Sequence, residues 1–253
     1  MRRCQREATG NLTGARSANF VTGFRIRRQR ISPIEIYQQL LRAYGPQHWW
    51  PADTPFEMMV GAILTQNTSW TQVEAAITQL KRADLLDAKA MLACPTDQLE
   101  MMIRSTGFFR QKALRLQSFC HFYLCHGGID TLQKRPDDAL RALLLAEKGV
   151  GPETADSIML YAFGRAIFVV DAYTRRIFSR LGLVSDAISY ARLQSLFHTQ
   201  LEHDPALFNE YHALIVFHAK HHCRTKPDCL ACPLQEACPA AVVNKAPAPS
   251  PCG

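Results

Sequence analysis

Apolar residues recur three and four positions apart in one stretch after another along this chain, a periodicity that leaves little room for anything but helices. Ser32-Pro33-Ile34-Glu35 opens the first stretch. Ser32 can cap it, Pro33 suits the first helical position, and Glu35 completes a capping box. Thr54-Pro55-Phe56-Glu57 repeats that start signal. Further helix-period stretches cover about 70–82, 96–104, 111–125, 136–146, 152–163, 172–182, 188–200 and 207–219. Gly107, Gly127, Gly128 and Gly164 read as stops. Only Ile167-Phe168-Val169-Val170 has strand character, and it is too short to build a sheet. The expectation is an all-α chain of about ten helices joined by short loops.

A chain of 253 residues has room for a sizeable core in one or two domains. Its 47% apolar and 20% charged fractions exclude wholesale disorder, and no apolar run is long enough for a membrane-spanning helix. The charge is lopsided. Residues 1–30 hold eight Arg and one acid and account for the whole net charge of +7, so the rest sums to zero. They read as a disordered basic arm, with a misread start codon or an organelle transit peptide as alternatives. Residues 240–253, rich in Pro and Ala, read as a disordered tail.

Four of the nine cysteines, Cys223, Cys229, Cys232 and Cys238, fall within 16 residues near the end of the chain. Thiols concentrated this way, with no secretory signal at the start, point to metal binding rather than disulfides. Structural zinc usually shows two close Cys pairs. Here a single C-x2-C is flanked by lone cysteines, which suits a [4Fe–4S] cubane better and leaves zinc as the less favoured alternative. Arg224 and Lys226 lie between the first two cysteines, where a pinned loop can aim them in one direction or leave them solvated.

Two further segments carry chemistry. In Glu147-Lys148-Gly149-Val150-Gly151-Pro152-Glu153-Thr154, two glycines bracket a valine between amphipathic helices. The turn is tight, the valine can plug the core, and the free N–H groups of the following helix can meet an anion such as a phosphate. The bland alternative is an ordinary helical hairpin. In Val169-Val170-Asp171-Ala172-Tyr173-Thr174-Arg175-Arg176, an apolar run delivers Asp171 to a helix start. A plain N-cap is the bland reading; a carboxylate held ionised and aimed into a cleft is the functional one. Arg175, Arg176 and Arg180 can face phosphates or solvent. A histidine-rich stretch holds His212, His218, His221 and His222. The last three read as solvated or phosphate-facing, beside the Cys loop.

These signals, in this order over about residues 32–239, resemble the helix-hairpin-helix DNA glycosylase superfamily, in its endonuclease III-like branch with an iron–sulfur loop. ILTQNTSWTQVEAA and GFFRQKA resemble further motifs of that family. The resemblance implies two all-α lobes with DNA bound between them. A six-helix barrel would span 55–165 and contain the hairpin at 136–163, and an iron–sulfur domain would join 31–54 to 166–239. It implies excision of a damaged or mismatched base from double-stranded DNA after flipping, by a monomer that would be cytoplasmic and nucleoid-associated in a bacterial or archaeal cell. It makes Asp171 the catalytic aspartate. On DNA it places Gln66 as wedge, Asn67, the hairpin residues Lys148, Gly149, Val150, Gly151 and Thr154, Tyr173 beside the flipped base, and Arg224 and Lys226.

The departures are informative. Bifunctional members carry a Schiff-base lysine where this chain has Glu153, 18 residues before Asp171. A carboxylate cannot form that adduct, so a monofunctional enzyme using water is expected, with Glu153 as a second catalytic candidate. The alternatives are a glycosylase with AP-lyase activity, through Lys148 as the nearest lysine to the missing one, and a DNA-binding iron–sulfur protein without catalysis. The first Cys gap is one residue shorter than usual, and Glu147 stands where the hairpin commonly has an apolar residue.

Overall fold

A computed structural model describes residues 31–49 and 52–241. The expectations for residues 1–30, and for the tail from 242 onward, fall outside that range. The described residues are helical, with no strand among them. Ser32 forms the full capping box with Glu35 and opens α1 (Pro33–Tyr44). Thr54 accepts from the Glu57 amide and opens α2 (Pro55–Leu64). Then come α3 (Trp70–Arg82), α4 (Ala88–Ala93), α5 (Thr96–Met102), α6 (Phe109–Cys125), α7 (Gly128–Leu132), α8 (Asp137–Ala146) and α9 (Pro152–Ser157). The last three are α10 (Ala172–Arg180), α11 (Tyr190–Gln200) and α12 (Pro205–His221).

Periodicity alone misses α4 and α7, which have six and five residues and show too few turns to establish a face. Tertiary packing and local caps carry them: Asp87 accepts from the amides of Lys89 and Ala90, and α4 lies along α6. The run Ile167–Val170 is extended, as its composition suggests, but pairs with no strand. Phe168, Val169 and Val170 are buried and run through the second core toward Asp171.

Two hydrophobic cores divide the molecule. One is built from α2 to α9, with Met59, Ile63, Leu80, Met91, Leu116, Phe119 and Leu144 fully or nearly fully buried. The other joins α1 to Leu160 and the segments from Phe168 onward, around Leu40, Phe168, Phe178, Phe197, Phe208 and Tyr211. The seam runs through the end of α9. The expected helix 152–163 turns π-helical over Ile158–Ala162, and the widened turn lets Met159 enter the first core while Leu160 enters the second.

A buried polar network closes the seam. Asp156, fully buried, takes Arg141 Nε and Nη2 at 2.6 and 3.1 Å, Tyr190 Oη at 2.7 Å and Gln194 Nε2 at 2.7 Å. Gln194 also donates to the Phe168 carbonyl at 2.8 Å. The hairpin helices, α11 and the segment leading to Asp171 are thereby fixed to one another. Among the described residues, no helix is long and apolar enough to cross a membrane.

Candidate active site

Between the two cores lies a cleft of about 580 Å³, and both carboxylates singled out from the sequence border it. Asp171 is the N-cap of α10. Its Oδ1 accepts from the Thr174 amide at 2.7 Å and from the Thr174 hydroxyl at 2.8 Å, so the capping geometry is real. Capping consumes one carboxylate oxygen and leaves the other. Oδ2 faces His212 Nε2 at 3.6 Å, just beyond hydrogen-bond length. Burial works against ionisation here, but the His212 ring and the two Thr174 bonds outweigh it and hold the carboxyl below its usual range.

Glu153, in the first turn of α9, reaches the same cleft from the other lobe. Its side chain touches solvent, yet the surrounding protein raises its carboxyl above the usual range. The Asp171 charge adds to that, while His212 and Arg175 oppose it. Two carboxylates in one cleft are therefore driven in opposite directions.

The hairpin forms one edge. Gly149 adopts φ +90°, and a Cβ there would meet the Arg115 side chain at 2.7–2.9 Å. Gly151 behaves differently: its φ is −90° and a Cβ would meet open space, so the turn itself does not require a glycine there. Val150 is buried in the first core. Thr154 is buried too, and its hydroxyl accepts from Gln66 Nε2 at 2.9 Å. Gln66 lies on the cleft edge fully engaged: Nε2 also donates to the Gly149 carbonyl at 2.9 Å, and Arg115 Nη1 donates to Oε1 at 2.7 Å. Asn67, exposed beside it, adopts φ +55°. Lys112 lies behind this edge, buried. Its Nζ donates to the carbonyls of Leu64 and Thr106 at 2.9 and 2.8 Å, tying the end of α2 to the turn before α6.

On the facing side, Tyr173 lines the cleft with the Arg176 guanidinium 5.1 Å over its ring. Trp49 and Trp70, their ring centroids 5.6 Å apart, form an aromatic corner, and the Lys220 ammonium sits 5.9 Å from the Trp49 ring. Lys220 therefore borders the cleft, whereas Lys148 is exposed on the hairpin turn and outside the lining. Burial lowers the Lys220 pKa, with Asp171 opposing.

The four late cysteines surround a single pocket beside α10 and α12. Burial pushes the Cys232 thiol up to about 11, and the other three thiols add to the shift, as negative groups converging on one space do. Among the described residues no group of three Cys, His, Asp or Glu side chains is placed to hold a metal ion, so the fit of a cofactor rests on the donor chemistry of the four thiols lining this pocket. Four thiols lining one pocket are a donor set that fits an iron–sulfur group.

Two of the three arginines read as phosphate- or solvent-facing, Arg176 and Arg180, fasten this loop instead. Arg180 Nη1 donates to Cys223 Sγ at 3.3 Å and to the Arg224 carbonyl at 2.7 Å, and Arg176 Nε donates to the Cys223 carbonyl at 2.8 Å. Arg224 and Lys226 themselves are exposed. His218, read as solvated or phosphate-facing, is buried with Nδ1 2.7 Å from Tyr44 Oη. One turn of helix separates inward from outward on α12, and the spacing of its histidines does not reveal which face is covered.

Residues 60–202 match the profile of the HhH-GPD superfamily base excision DNA repair proteins. The chain belongs to that family. It is 48% identical over 207 residues to a provisionally named DNA repair glycosylase of Methanocaldococcus jannaschii, covering 81% of this chain and 94% of the relative. Among solved structures, the H. pylori 3-methyladenine DNA glycosylase bound to 1,N6-ethenoadenine is 29% identical, with a TM-score of 0.66 over 75% of this chain and 98% of that one. A non-covalent endonuclease III–DNA complex shares the fold at 23% identity and a TM-score of 0.72, over 83% and 97% of the two chains. This HhH-GPD protein is a base excision repair DNA glycosylase, an enzyme that cleaves N-glycosidic bonds. Sequence reading missed His212 beside the aspartate and Lys220 in the cleft. The available signal was that His212, Val216 and Lys220 share one face of α12 at four-residue spacing.

Proposed function

We propose that this glycosylase is monofunctional: a damaged or mismatched base swings out of double-stranded DNA into the cleft, and water cleaves its N-glycosidic bond. What carries the reading is the pair of carboxylates pushed apart in one site, since such pairs sort into distinct roles. Asp171, favoured in its ionised form, faces the positive charge that develops on the sugar. Glu153, closer to neutrality, takes the proton from the attacking water. The O–H bond of water breaks toward Glu153, the new C1′–O bond forms, and the departing base takes the electron pair of the glycosidic bond.

Gln66 and Asn67 border the cleft where the vacated stack would lie, and Tyr173 flanks the flipped base. The turn Lys148-Gly149-Val150-Gly151 with Thr154 meets the backbone, Lys148 as an exposed cation and the glycines through their N–H groups. In the domain reading, 55–165 is the barrel with its hairpin at 136–163, and 31–54 with 166–239 is the cluster domain. Cys223, Cys229, Cys232 and Cys238 would hold a [4Fe–4S] cluster, which supplies covalent pinning of a loop that presents Arg224 and Lys226 to DNA. Both carboxylates come from one chain, so a monomer suffices.

The test is a panel of duplexes containing alkylated and etheno purines, uracil, mismatched thymine and 8-oxoguanine, assayed for base release before and after alkali. The expected result is release from at least one duplex with strand breaks only after alkali. Asp171→Asn should lower that rate by about 100- to 1000-fold. A second reading rests on Lys220, an amine of lowered pKa in the same cleft. If it attacks C1′, borohydride traps a covalent adduct on wild type and not on Lys220→Met, and water-only hydrolysis is then wrong. Iron and sulfide analysis of brown, freshly purified protein tests the cluster; a colourless preparation with stoichiometric zinc overturns it.

A further inference from the structure

Asp171 does not stand alone against the protein. His212, on α12, presents Nε2 to Asp171 Oδ2 at 3.6 Å and holds Nδ1 2.5 Å from the hydroxyl of Tyr161. Both rings lie at the seam between the lobes, His212 buried and Tyr161 within the π-helical turn. We infer that Tyr161 and His212 are positioning residues for the reaction: the tyrosine fixes the imidazole with its proton on Nε2, and that N–H holds Asp171 ionised and aimed into the cleft.

The argument is one of proton placement. A short Tyr161–His212 contact has one proton between the two heavy atoms. Burial, and then the Asp171 charge, push the Tyr161 hydroxyl well above its usual range, so it keeps its proton and donates it to Nδ1. With Nδ1 accepting, the ring's own N–H lies on Nε2, toward the carboxylate. The opposite tautomer would set a lone pair against a carboxylate oxygen, a repulsive arrangement. Nε2 has no hydrogen-bond partner, so its N–H is available to tighten onto Oδ2 when a substrate draws Asp171 forward. The π-helical turn gains a functional reason: it allows consecutive residues to serve one core, the other core and the site.

Other groups facing Asp171 do not replace this contact. Thr174 occupies Oδ1, Glu153 opposes from α9 with a like charge, and Lys220 acts from the same face of α12 as His212. Arg175, on Asp171's own helix, acts on Glu153. The hydrogen bond from His212 favours the ionised form of Asp171, so its loss moves the acid limb of the pair to higher pH.

The inference rests on Asp171 being the catalytic carboxylate, and the measurements separate the two claims. The duplex that wild type processes fastest in the panel above serves as substrate under single-turnover conditions across pH. His212→Asn, which withdraws the Nε2-side N–H, should slow base release about ten- to a hundredfold and shift the acid limb upward, with duplex affinity unchanged. His212→Gln, which returns an N–H near that position, should recover most of the rate and the limb. Independently of activity, nitrogen-15 NMR of the histidines should show a bare Nδ1 and a protonated Nε2 for His212, lost in Tyr161→Phe. A proton on Nδ1 in wild type, or Asn and Gln variants with the same rate and the same limb, overturns the inference. Absence of base release from every duplex, with the tautomer as expected, would fault the catalytic assignment and not the proton placement.

Discussion

In the proposed mechanism, Glu153 is the residue on which the chemistry turns. A lysine at its place would make the chain resemble a lyase; under the proposed reading the carboxylate there carries a proton instead. Glu153→Gln should slow base release by about 100-fold or more, within the usual range for loss of a general base. In wild type, release should fall as pH drops through a value above the ordinary carboxylate range. Glu153 is then taking up its proton while Asp171, held below its own usual value, stays ionised. In Glu153→Gln that limb should vanish from the pH–rate profile; a limb that stays where it was would assign it to another group. The converse substitution, Glu153→Lys, restores an amine opposite Asp171, and borohydride trapping on abasic DNA should then detect an adduct that Asp171→Asn weakens.

At the scale of the element, the hairpin shows how two glycines two residues apart in a motif differ in physical necessity. Gly149 needs its left-handed backbone, and a methyl there also displaces Arg115, which holds Gln66. Gly149→Ala should therefore destabilise the protein by at least about 1–2 kcal/mol from backbone strain alone and weaken DNA binding as well. Gly151→Ala meets open space at negative φ and should leave thermal stability nearly unchanged. If it nonetheless weakens duplex affinity, the added methyl is obstructing the phosphate the hairpin receives. Equal melting temperatures for the two variants would contradict this account of the turn.

For the whole molecule, the seam matters more than either core. Asp156 gathers Arg141 from α8 and Tyr190 and Gln194 from α11, and through Gln194 it fixes the Phe168 carbonyl three residues before Asp171. Asp156→Ala leaves a partly buried guanidinium and two polar groups without their acceptor, a loss of about 3 kcal/mol by chemical denaturation. The base-release rate should fall along with stability, because Glu153 and Asp171 come from opposite sides of that seam. A variant that loses stability but keeps the full rate at low temperature would show that the lobes hold the carboxylates without this network.

How much of this could be read in advance follows from range. Capping signals, apolar periodicity and glycine stops are local, and they placed ten of the helices; α4 and α7 escaped because their stability comes from caps and neighbours rather than from a repeat. The four cysteines and the Asp171 cap were legible because each lies in one short segment. The direction in which Arg176, Arg180 and His218 point was not: a helical residue's partner is decided by which face the fold covers, and here that partner sits 43 to 174 residues away. Sequence by itself determined the helices, the cap and the identity of the chemical groups. Only tertiary structure brought Tyr161 and His212, 51 residues apart, against Asp171, because opposing carboxylate burial with nearby protons is a property of the seam where two cores meet.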